Sequence, residues 1–542
     1  MIKQNTIQVD YTTYGDNYQF KLPLNIDCII PKDDSVRLLS QIVEEMNLEK
    51  LYQTYSRIRG NTITPRQLLK IVLYANMNCI YSSREIEKAC RRDINFMYLL
   101  GGASAPDHST IARFRSIHFA QISEDIMGQF TKYLAYNNEI SKDTLFIDGT
   151  KIEAAANRYT FVWRKSIEKN VSKMINQIPD FVLKCEQDFG IKIIYKNKIK
   201  MYHLKKLMKK LRKVSKDEGV IFVYGKGKRK SSIQKSIEKL SKYIDRLKKY
   251  TKDIHTMGER NSFSKTDKDA TFMRMKEDHM KNGQLKPAYN IQVGVDSEYV
   301  VWLSAGPQPT DTTTLIPFLN NIEKYTEFKY LKIVADAGYE SEENYVFIEG
   351  NNQLSFIKTS NYETSKTRKY KNDIGRVDNM TYNPEEDYYI CKNNKKLRPI
   401  NTKNRKSKTG YKSEITCYSC EDCSNCEFKR SCIKGNNSKT PIEERTKRVE
   451  ISKLFHEKRK ENLERIISPE GCELRMNRSI QAEGAFAQIK HNMNFKRFLS
   501  RGNKNVLSEC ILVALAYNVS KLHNKIMNNK CGMHIYPLKE TS

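Results

Sequence analysis

The 542-residue sequence lacks long apolar runs and an N-terminal secretion signal. Its longest apolar stretch, residues 510–517, is far shorter than the roughly 20 residues that a membrane-spanning helix needs. The first residues are followed by polar sequence instead of the apolar core of a cleavable signal, so we expect a cytoplasmic protein. A role at a membrane surface is also disfavoured, because no lipid-anchor signal and no sufficiently apolar helix is evident.

Acidic residues are in short supply relative to basic ones. The chain has 63 Asp and Glu against 94 Lys and Arg, which gives a formal net charge of +31. Such a surface attracts polyanions, and the attraction to phosphate carries no sequence information. DNA, RNA and anionic membranes all fit the charge alone, so the charge predicts a class of partner and no reaction. An AT-rich genome, which favours Lys, Ile, Asn and Tyr, is an alternative source of part of this excess.

Thirteen cysteines without a secretion signal indicate reduced thiols or a metal site, not a disulfide framework. Four of them follow one another at three-residue spacing, namely Cys417, Cys420, Cys423 and Cys426. Cys432 follows shortly after and Cys391 lies upstream. Thiolate-bound zinc is the leading interpretation of the four. An iron–sulfur cluster fits less well, because the ferredoxin pattern needs a later last Cys followed by Pro, and reduced thiols remain the third alternative.

The segment from residue 35 to 119 has apolar residues at helical spacing and predicts a helical N-terminal domain over residues 1–135. Residues 64–67 predict a capping box with Pro at the first helical position, and residues 82–85 predict a second capping box. Asp107 or Ser109 can cap a helix over residues 110–115.

The basic residues of that last N-terminal helix make it a candidate reader of the DNA major groove. They are Arg113, Arg115 and His118. Helix-turn-helix proteins place such a helix in the groove. An ordinary helical bundle with a basic outer face is the alternative.

A basic insert is predicted between residues 163 and 265. Two helices with heptad spacing are expected there, around residues 204–214 and 233–247, and the loop at residues 225–227 favours an antiparallel hairpin. From residue 196 to 230 the sequence has 14 Lys or Arg against two acidic residues. A solvated charged face is the usual explanation of such a run, and contact with the DNA backbone is the alternative.

Strand-like runs at residues 289–296, 299–304, 331–335 and 353–358 alternate with helical sequence, such as a helix over 314–322 that Asp311 can cap. This pattern predicts a mixed α/β architecture. We expect a catalytic domain over residues 136–530, interrupted at 360–447 by a polar, cysteine-rich insert, and a tail at 531–542.

Three acids form a candidate site for divalent metal. Asp148 and Asp336 each follow a short apolar strand, and Glu483 lies on a predicted helix with Lys490 about 20° away around its axis. Taken alone, Asp148 with Gly149 also fits a hairpin turn, and each of the others fits an ordinary surface position. Their order along the chain, strand Asp, strand Asp and then helix Glu, favours a shared site. Carboxylates are the ligands that Mg²⁺ prefers.

Five segments carry a resemblance to a known family. They are residues 146–154 (FIDGTKIEA), 266–270 (TDKDA), 289–292 (YNIQ), 334–339 (VADAGY) and 478–486 (RSIQAEGAF). Together they resemble bacterial insertion-sequence transposases of the DDE type. Residues 106–115 (PDHSTIARFR) are similar to the N-terminal domain that many of these transposases carry.

The resemblance implies a ribonuclease H-like catalytic core in which Asp148, Asp336 and Glu483 match the catalytic triad. It implies two Mg²⁺ ions, with Mn²⁺ as a substitute, and Lys490 near the DNA. Relatives often have Arg four residues before the glutamate, where this chain has Ser479, so Arg478 or Arg475 is the expected replacement. Similar cysteine-rich inserts occur in this branch, which implies a stabilising or DNA-contacting role for the cysteines.

The implied function is a transposase that binds the terminal inverted repeats of its element, cleaves there and joins the 3′ ends to target DNA. A homodimer is expected in the DNA complex, because two element ends must be held together, and the protein is expected at the nucleoid when bound. A ribonuclease H-like nuclease without strand transfer is one alternative. A non-catalytic DNA-binding protein derived from a transposase is the other, and it predicts a broken triad.

Overall fold

The computed structural model describes residues 26–56, 63–225, 227–275, 283–435 and 440–537. Residues 1–25 of the predicted N-terminal domain, residue 226 of the predicted hairpin loop and residues 538–542 of the predicted tail lie outside the described residues.

The N-terminal region is helical, as the apolar spacing predicts. Its helices are α1 (Ile26–Ile29), α2 (Ser35–Glu45), α3 (Glu49–Gln53), α4 (Pro65–Met77), α5 (Ser83–Arg92), α6 (Ile94–Leu100), α7 (His108–Arg113) and α8 (Ala120–Tyr136). A π-helical segment, Phe114–Phe119, joins α7 to α8. The last predicted helix is therefore the beginning of a longer helical segment that runs from α7 through α8, and it is not a separate recognition helix.

The predicted helix caps have mixed outcomes. Thr64 and Gln67 form the full capping box at the start of α4, and the Asp107 carboxylate accepts the Thr110 amide N–H. The second predicted capping box is wrong, because Ser82 precedes α5 without a side-chain cap. Glu85 lies three residues after Ser82, as Gln67 lies three residues after Thr64. The sequence pattern alone does not determine the side-chain rotamers that form a capping box.

The central sheet follows in chain order. Its strands are β1 (Thr144–Glu153), β4 (Thr271–Arg274), β5 (Leu285–Asp296), β6 (Tyr299–Gly306), β7 (Lys332–Ala335) and β8 (Leu354–Ile357), while β2 (Phe161–Trp163) and β3 (Ser262–Ser264) pair separately. The strands predicted at 289–296, 299–304, 331–335 and 353–358 are all confirmed.

The order across the central sheet is β6, β5, β1, β7, β8, with β4 beside the beginning of β5 on the same side as β6. On one side β1 pairs antiparallel with β5, and on the other it pairs parallel with β7, which pairs parallel with β8. A long antiparallel meander thus continues into two parallel strands, as expected for a mixed α/β layer.

Helices cover the central sheet. They are α12 (Leu315–Thr326), α13 (Glu342–Gly350), α17 (Lys453–Ile467), α18 (Pro469–Arg478), α19 (Gly484–Ala487) and α20 (Asn503–Met527). The apolar stretch at 510–517 lies buried within α20, which packs on β6, α4 and α8. The N-terminal helices and the sheet therefore share one continuous hydrophobic core. Within the described ranges, no helix is both long and apolar enough to cross a membrane.

The basic insert has three helices where the sequence predicts two. They are α9 (Arg164–Phe189), α10 (Met201–Asp217) and α11 (Ser232–Met257), and they enclose a hydrophobic core of their own. The additional helix α9 contains Pro179, a residue that usually interrupts a helix.

The cysteine-rich insert contains a second sheet of five strands in the order β13, β12, β11, β10, β9. Its elements are α14 (Tyr362–Ser365), α15 (Arg368–Lys371), β9 (Thr381–Asn383), β10 (Tyr388–Ile390), β11 (Lys396–Lys406), β12 (Lys412–Cys420), α16 (Lys429–Cys432) and β13 (Arg448–Ile451). The sheet extends past the predicted boundary at residue 447.

Helices α8 and α12 approach each other closely at Gly128. A β-carbon placed there would lie 2.6 Å from the Tyr325 carbonyl oxygen. We expect Gly128→Ala to destabilise the protein by about 1–3 kcal/mol, because the core must shift to admit the methyl group. The measurement is the thermal unfolding midpoint.

Gly350→Ala is the matched control, because Gly350 ends helix α13 and a β-carbon there has no neighbour within 4 Å. It should leave the midpoint unchanged or raise it slightly. Equal midpoints for the two variants would contradict the close approach.

Candidate carboxylate site

Asp148 and Asp336 lie next to each other because of the register between two parallel strands. The pairing of β1 with β7 ends where Ile147 faces Ala335. The next residue on each strand is the predicted aspartate, so the two carboxylates occupy adjacent positions where the pairing stops. Asp148 is almost completely buried, and Asp336 is partly buried.

The structure corrects the local interpretation of Asp148. This residue is not at the end of its strand, because β1 continues to Glu153 and pairs with β5 along the way. The hairpin-turn alternative is also wrong, since Gly149 faces Gln292 in the antiparallel ladder. The glycine has another explanation: a β-carbon there would lie 2.9 Å from Asp311 Oδ1.

Glu483 reaches the same site through an arginine. Arg478 Nη1 lies 3.7 Å from Asp148 Oδ2, and its Nη2 lies 3.5 Å from Glu483 Oε1. The guanidinium is mostly buried and the glutamate side chain is 60% exposed. Of the two candidate replacements for the missing family arginine, Arg475 instead contacts Cys472 Sγ and lies over the Tyr362 ring. Arg478 is therefore the cation of this site.

Asp311 is a fourth carboxylate that sequence reasoning did not place here. It was expected to cap the following helix, but Thr314 precedes α12 and no side chain caps it. Instead Asp311 Oδ1 accepts hydrogen bonds from the side-chain amides of Asn290 at 2.6 Å and Gln292 at 2.8 Å. Two polar residues at alternate positions of the buried strand β5 are the signal that could have suggested such a network.

The Tyr339 hydroxyl lies beneath these acids and donates a hydrogen bond to Gln292 Oε1. Burial raises the pKa of the Tyr339 phenol well above its ordinary value, and nearby negative charges raise it further. Those charges belong to Asp311, Asp148 and Asp336. A β-carbon placed at Gly338 would lie 3.0 Å from Asp336 Oδ1 and 3.1 Å from Asp311 Oδ2, so these acids lie close together.

The helix that carries Glu483 is distorted on both sides of α19. The segments Ser479–Glu483 and Gln488–Asn492 are π-helical, and the first packs on β1 and β5. The predicted angle between Glu483 and Lys490 assumed a regular α-helix and does not apply. Lys490 nevertheless lines a small cavity with Thr150 and Ile152, which share a strand face with Asp148. π-Helical turns inside helices are frequent at functional sites.

The proposed DNA-reading residues of the N-terminal domain do not share one exposed face. Arg113 is exposed. Arg115 turns its guanidinium inward, where Nη1 donates to the Tyr81 carbonyl oxygen at 2.7 Å and Nη2 is buried. His118 stacks on the Tyr55 ring with 3.6 Å between ring centroids. The Arg115 side chain therefore stabilises the helical domain in this structure, and DNA contact by Arg113 and Arg115 stays a prediction.

Exposed lysines and an arginine line the outer face of α10 in the basic insert. They are Lys205, Lys206, Lys209, Lys210, Arg212 and Lys213. Leu204, Leu207 and Leu211 form the opposite, buried face. Both predicted roles, a solvated face and contact with a DNA backbone, are compatible with this arrangement.

The cysteine cluster differs from the predicted set. Cys420, Cys423 and Cys426 line one small cavity, and Cys417 does not belong to it. Among the described residues, no three His, Cys, Asp or Glu side chains are already arranged as the ligands of one metal ion.

Two segments of the chain match known families. Residues 390–523 match the family described as Transposase DDE domain, and residues 24–116 match the Transposase domain (DUF772). The first match includes Glu483 and Lys490, whereas Asp148 and Asp336 precede it. Comparison with curated proteins and with solved structures found no match.

Both matched families are transposase domains, so the predicted resemblance to insertion-sequence transposases of the DDE type is confirmed. Strands β1 and β7, which position the two aspartates, lie between the two matched segments.

Asp311 should stabilise the site through its two amide donors. In Asp311→Ala the buried amides of Asn290 and Gln292 lose their acceptor, which costs about 1–3 kcal/mol for each amide left unsatisfied. We expect a lower urea midpoint, and Asp311→Asn, which retains an acceptor oxygen, should lose less.

Glu363→Ala is the control, because Glu363 makes only exposed ion pairs with Lys358 and Lys366. Exposed pairs of this kind contribute about 0–1 kcal/mol. A loss for Asp311→Ala no larger than that for Glu363→Ala would contradict the proposed network.

Proposed function

We propose that this protein is a DNA transposase that cleaves at the terminal inverted repeats of its element and transfers the 3′ ends to target DNA, with Asp148, Asp336 and Glu483 as its catalytic acids. The observation that carries the proposal is the convergence of these acids from distant parts of the chain. Register joins the first two, and Arg478 joins Asp148 to Glu483.

The strand order supports a ribonuclease H-like core for this domain. The five principal strands, counted in chain order, are β1, β5, β6, β7 and β8. Across the sheet they lie in the order third, second, first, fourth, fifth, and the second strand, β5, runs antiparallel to β1. The acids lie at the first and fourth strands, which are neighbours in that order. The fold alone does not define the reaction, so the argument depends on the acids.

The donor set fits a hard divalent cation. Carboxylate oxygens are the preferred ligands of Mg²⁺, and Mn²⁺ accepts them too. Arg478 lies 3.7 Å from Asp148 and 3.5 Å from Glu483, so these two acids face the same guanidinium. Among the described residues the acids are not arranged as ligands of one metal ion, and their side chains would have to rotate to bind one together. Asp148, Asp336 and Glu483 would hold the metal, which supplies Lewis acidity to the phosphate and to the attacking oxygen when bound.

The protein's own side chains prepare this chemistry. Gln292 connects the Tyr339 hydroxyl to Asp311 and so fixes the floor beneath the acids. Arg478 beside the acids would supply positive charge to the scissile phosphate, and the family resemblance implies the same role for Lys490. The net charge of +31 favours the approach of the DNA backbone to the surface around them.

Hydrolysis of DNA without strand transfer is the nearest alternative, because the same acids would serve both reactions. A strand-transfer assay with labelled element ends separates the two. Joined products would support the transposase, and cut ends that are never joined would favour the nuclease.

Asp336→Asn tests the catalytic role directly. We expect Mg²⁺-dependent cleavage of terminal-repeat DNA to fall below detection, while binding in a gel-shift assay persists because it depends on the basic surface. Undiminished cleavage would refute the site assignment.

Asp143→Asn is a matched control. Asp143 precedes β1, at the opposite end of the same strand pair, and forms an ion pair with Lys332 at 3.0 Å. Its loss should leave cleavage near the wild-type rate. Equal loss in both variants would indicate a general folding defect.

Arg478→Gln tests whether the acids share a cation without measuring cleavage. Removing the guanidinium takes positive charge away from Asp148 and Glu483, so the metal-free protein should unfold at a lower temperature. Added Mg²⁺ should then raise the midpoint more in Arg478→Gln than in the wild type.

Arg475→Gln is the control, since Arg475 lies one turn away on α18 and contacts Cys472 instead of the acids. Its response to Mg²⁺ should match the wild type. An equal Mg²⁺ response in all three proteins would argue against a shared cation site.

A further inference from the structure

We propose that the cysteine-rich insert binds one zinc ion with four of the five thiols that line its small cavity, and that Cys417 is not a ligand. The five are Cys391, Cys420, Cys423, Cys426 and Cys432. This site is separate from the carboxylates and goes beyond the proposed strand cleavage and transfer.

Strand geometry removes Cys417 from the set. Cys417 and Cys420 are three residues apart on β12, and successive strand residues point to opposite faces. Cys420 shares its face with Tyr418, and both are buried in the small core of the insert. Cys417 is on the other face and faces Asn401 of β11. Regular spacing in the sequence therefore does not mean a shared metal.

Four separate segments deliver the remaining thiols to one place. Cys391 starts the turn that joins β10 to β11, and its amide N–H donates to the Lys395 carbonyl oxygen. Cys420 ends β12, Cys423 and Cys426 lie in the turn that follows, and Cys432 ends α16. A pair such as Cys420 and Cys423 brings two sulfurs to one ion, and the others complete a tetrahedral set.

Positive charge surrounds the same cavity. Its lining includes Lys392, Lys395, Lys429 and Lys447. The Lys447 amide N–H donates to Cys423 Sγ at 3.4 Å, and Lys447 Nζ donates to the Cys432 carbonyl oxygen at 3.1 Å. Thiolates are the form that binds zinc, and nearby cations and amide donors stabilise them. Four thiolates around Zn²⁺ leave two negative charges, which these lysines would offset.

The apolar core of the insert is small. Its core contains six buried residues, and nine of the eleven residues of β11 are exposed. Small modules with so little apolar burial commonly depend on a metal or on cross-links. The thiols surround the cavity without yet occupying tetrahedral positions, and rotation about the Cα–Cβ bond of each cysteine moves its sulfur between staggered positions.

The test is metal analysis of the full-length protein, purified with a reductant and reconstituted with zinc. We expect about one tightly held zinc per chain. The double variant Cys420→Ser/Cys423→Ser leaves three of the five thiols and should lose most of it, and Cys417→Ser should keep it. Cobalt(II) titration of the wild type gives a second measurement, in which visible absorption typical of tetrahedral thiolate coordination should develop and should persist in Cys417→Ser.

Three outcomes would overturn the proposal: no zinc after reconstitution, equal zinc loss in Cys417→Ser and in the double variant, or iron with acid-labile sulfide in place of zinc. Because metal content is measured without DNA, each of these outcomes leaves the proposed cleavage activity untouched. Cleavage failure in Asp336→Asn likewise says nothing about zinc.

Discussion

The register between β1 and β7 is the constraint on which the candidate site depends. Both strands are apolar up to their last paired residues, Ile147 and Ala335, and both continue with an aspartate. A slip of one residue would turn each side chain to the opposite face of the sheet, which buried residues on both strands prevent. The same packing that fills the core thus fixes the spacing of Asp148 and Asp336.

Concentrating four acids at one place is costly in a protein that must also attract DNA. Each buried carboxylate needs compensation, because an isolated charge away from water is strongly unfavourable. Arg478 compensates Asp148, while the amides of Asn290 and Gln292 compensate Asp311. The acids would repel a DNA phosphate at this point, whereas the basic surroundings attract it. A divalent cation would resolve that conflict, so an acidic cluster inside a basic protein supports the proposed metal-dependent chemistry over plain DNA binding.

Local sequence patterns predicted the strands and the two strand aspartates, because short apolar runs and the residues after them are local features. Asp311 was missed because its role depends on contacts with β5, which the sequence around it does not reveal. Helix α9 was missed because Pro179 argues against a continuous helix. A basic helical residue usually faces solvent, so the sequence predicts an outward Arg115. Only the packing of the π-helical segment Phe114–Phe119 turns its guanidinium inward.

The cysteine-rich insert separates Asp336 from Glu483 in the sequence, yet contacts on either side of it keep the two ends of the site together. Arg459 of α17 forms a two-pronged ion pair with buried Glu340, four residues after Asp336. The tip of the β11–β12 hairpin docks on α13, where the Tyr411 hydroxyl donates to Glu342 at 2.9 Å. Since α17 leads directly into α18 and Arg478, these contacts connect the strand acids to the helix acid. The insert is therefore fastened to the element next to the site, and its rigidity would influence how firmly Glu483 is held.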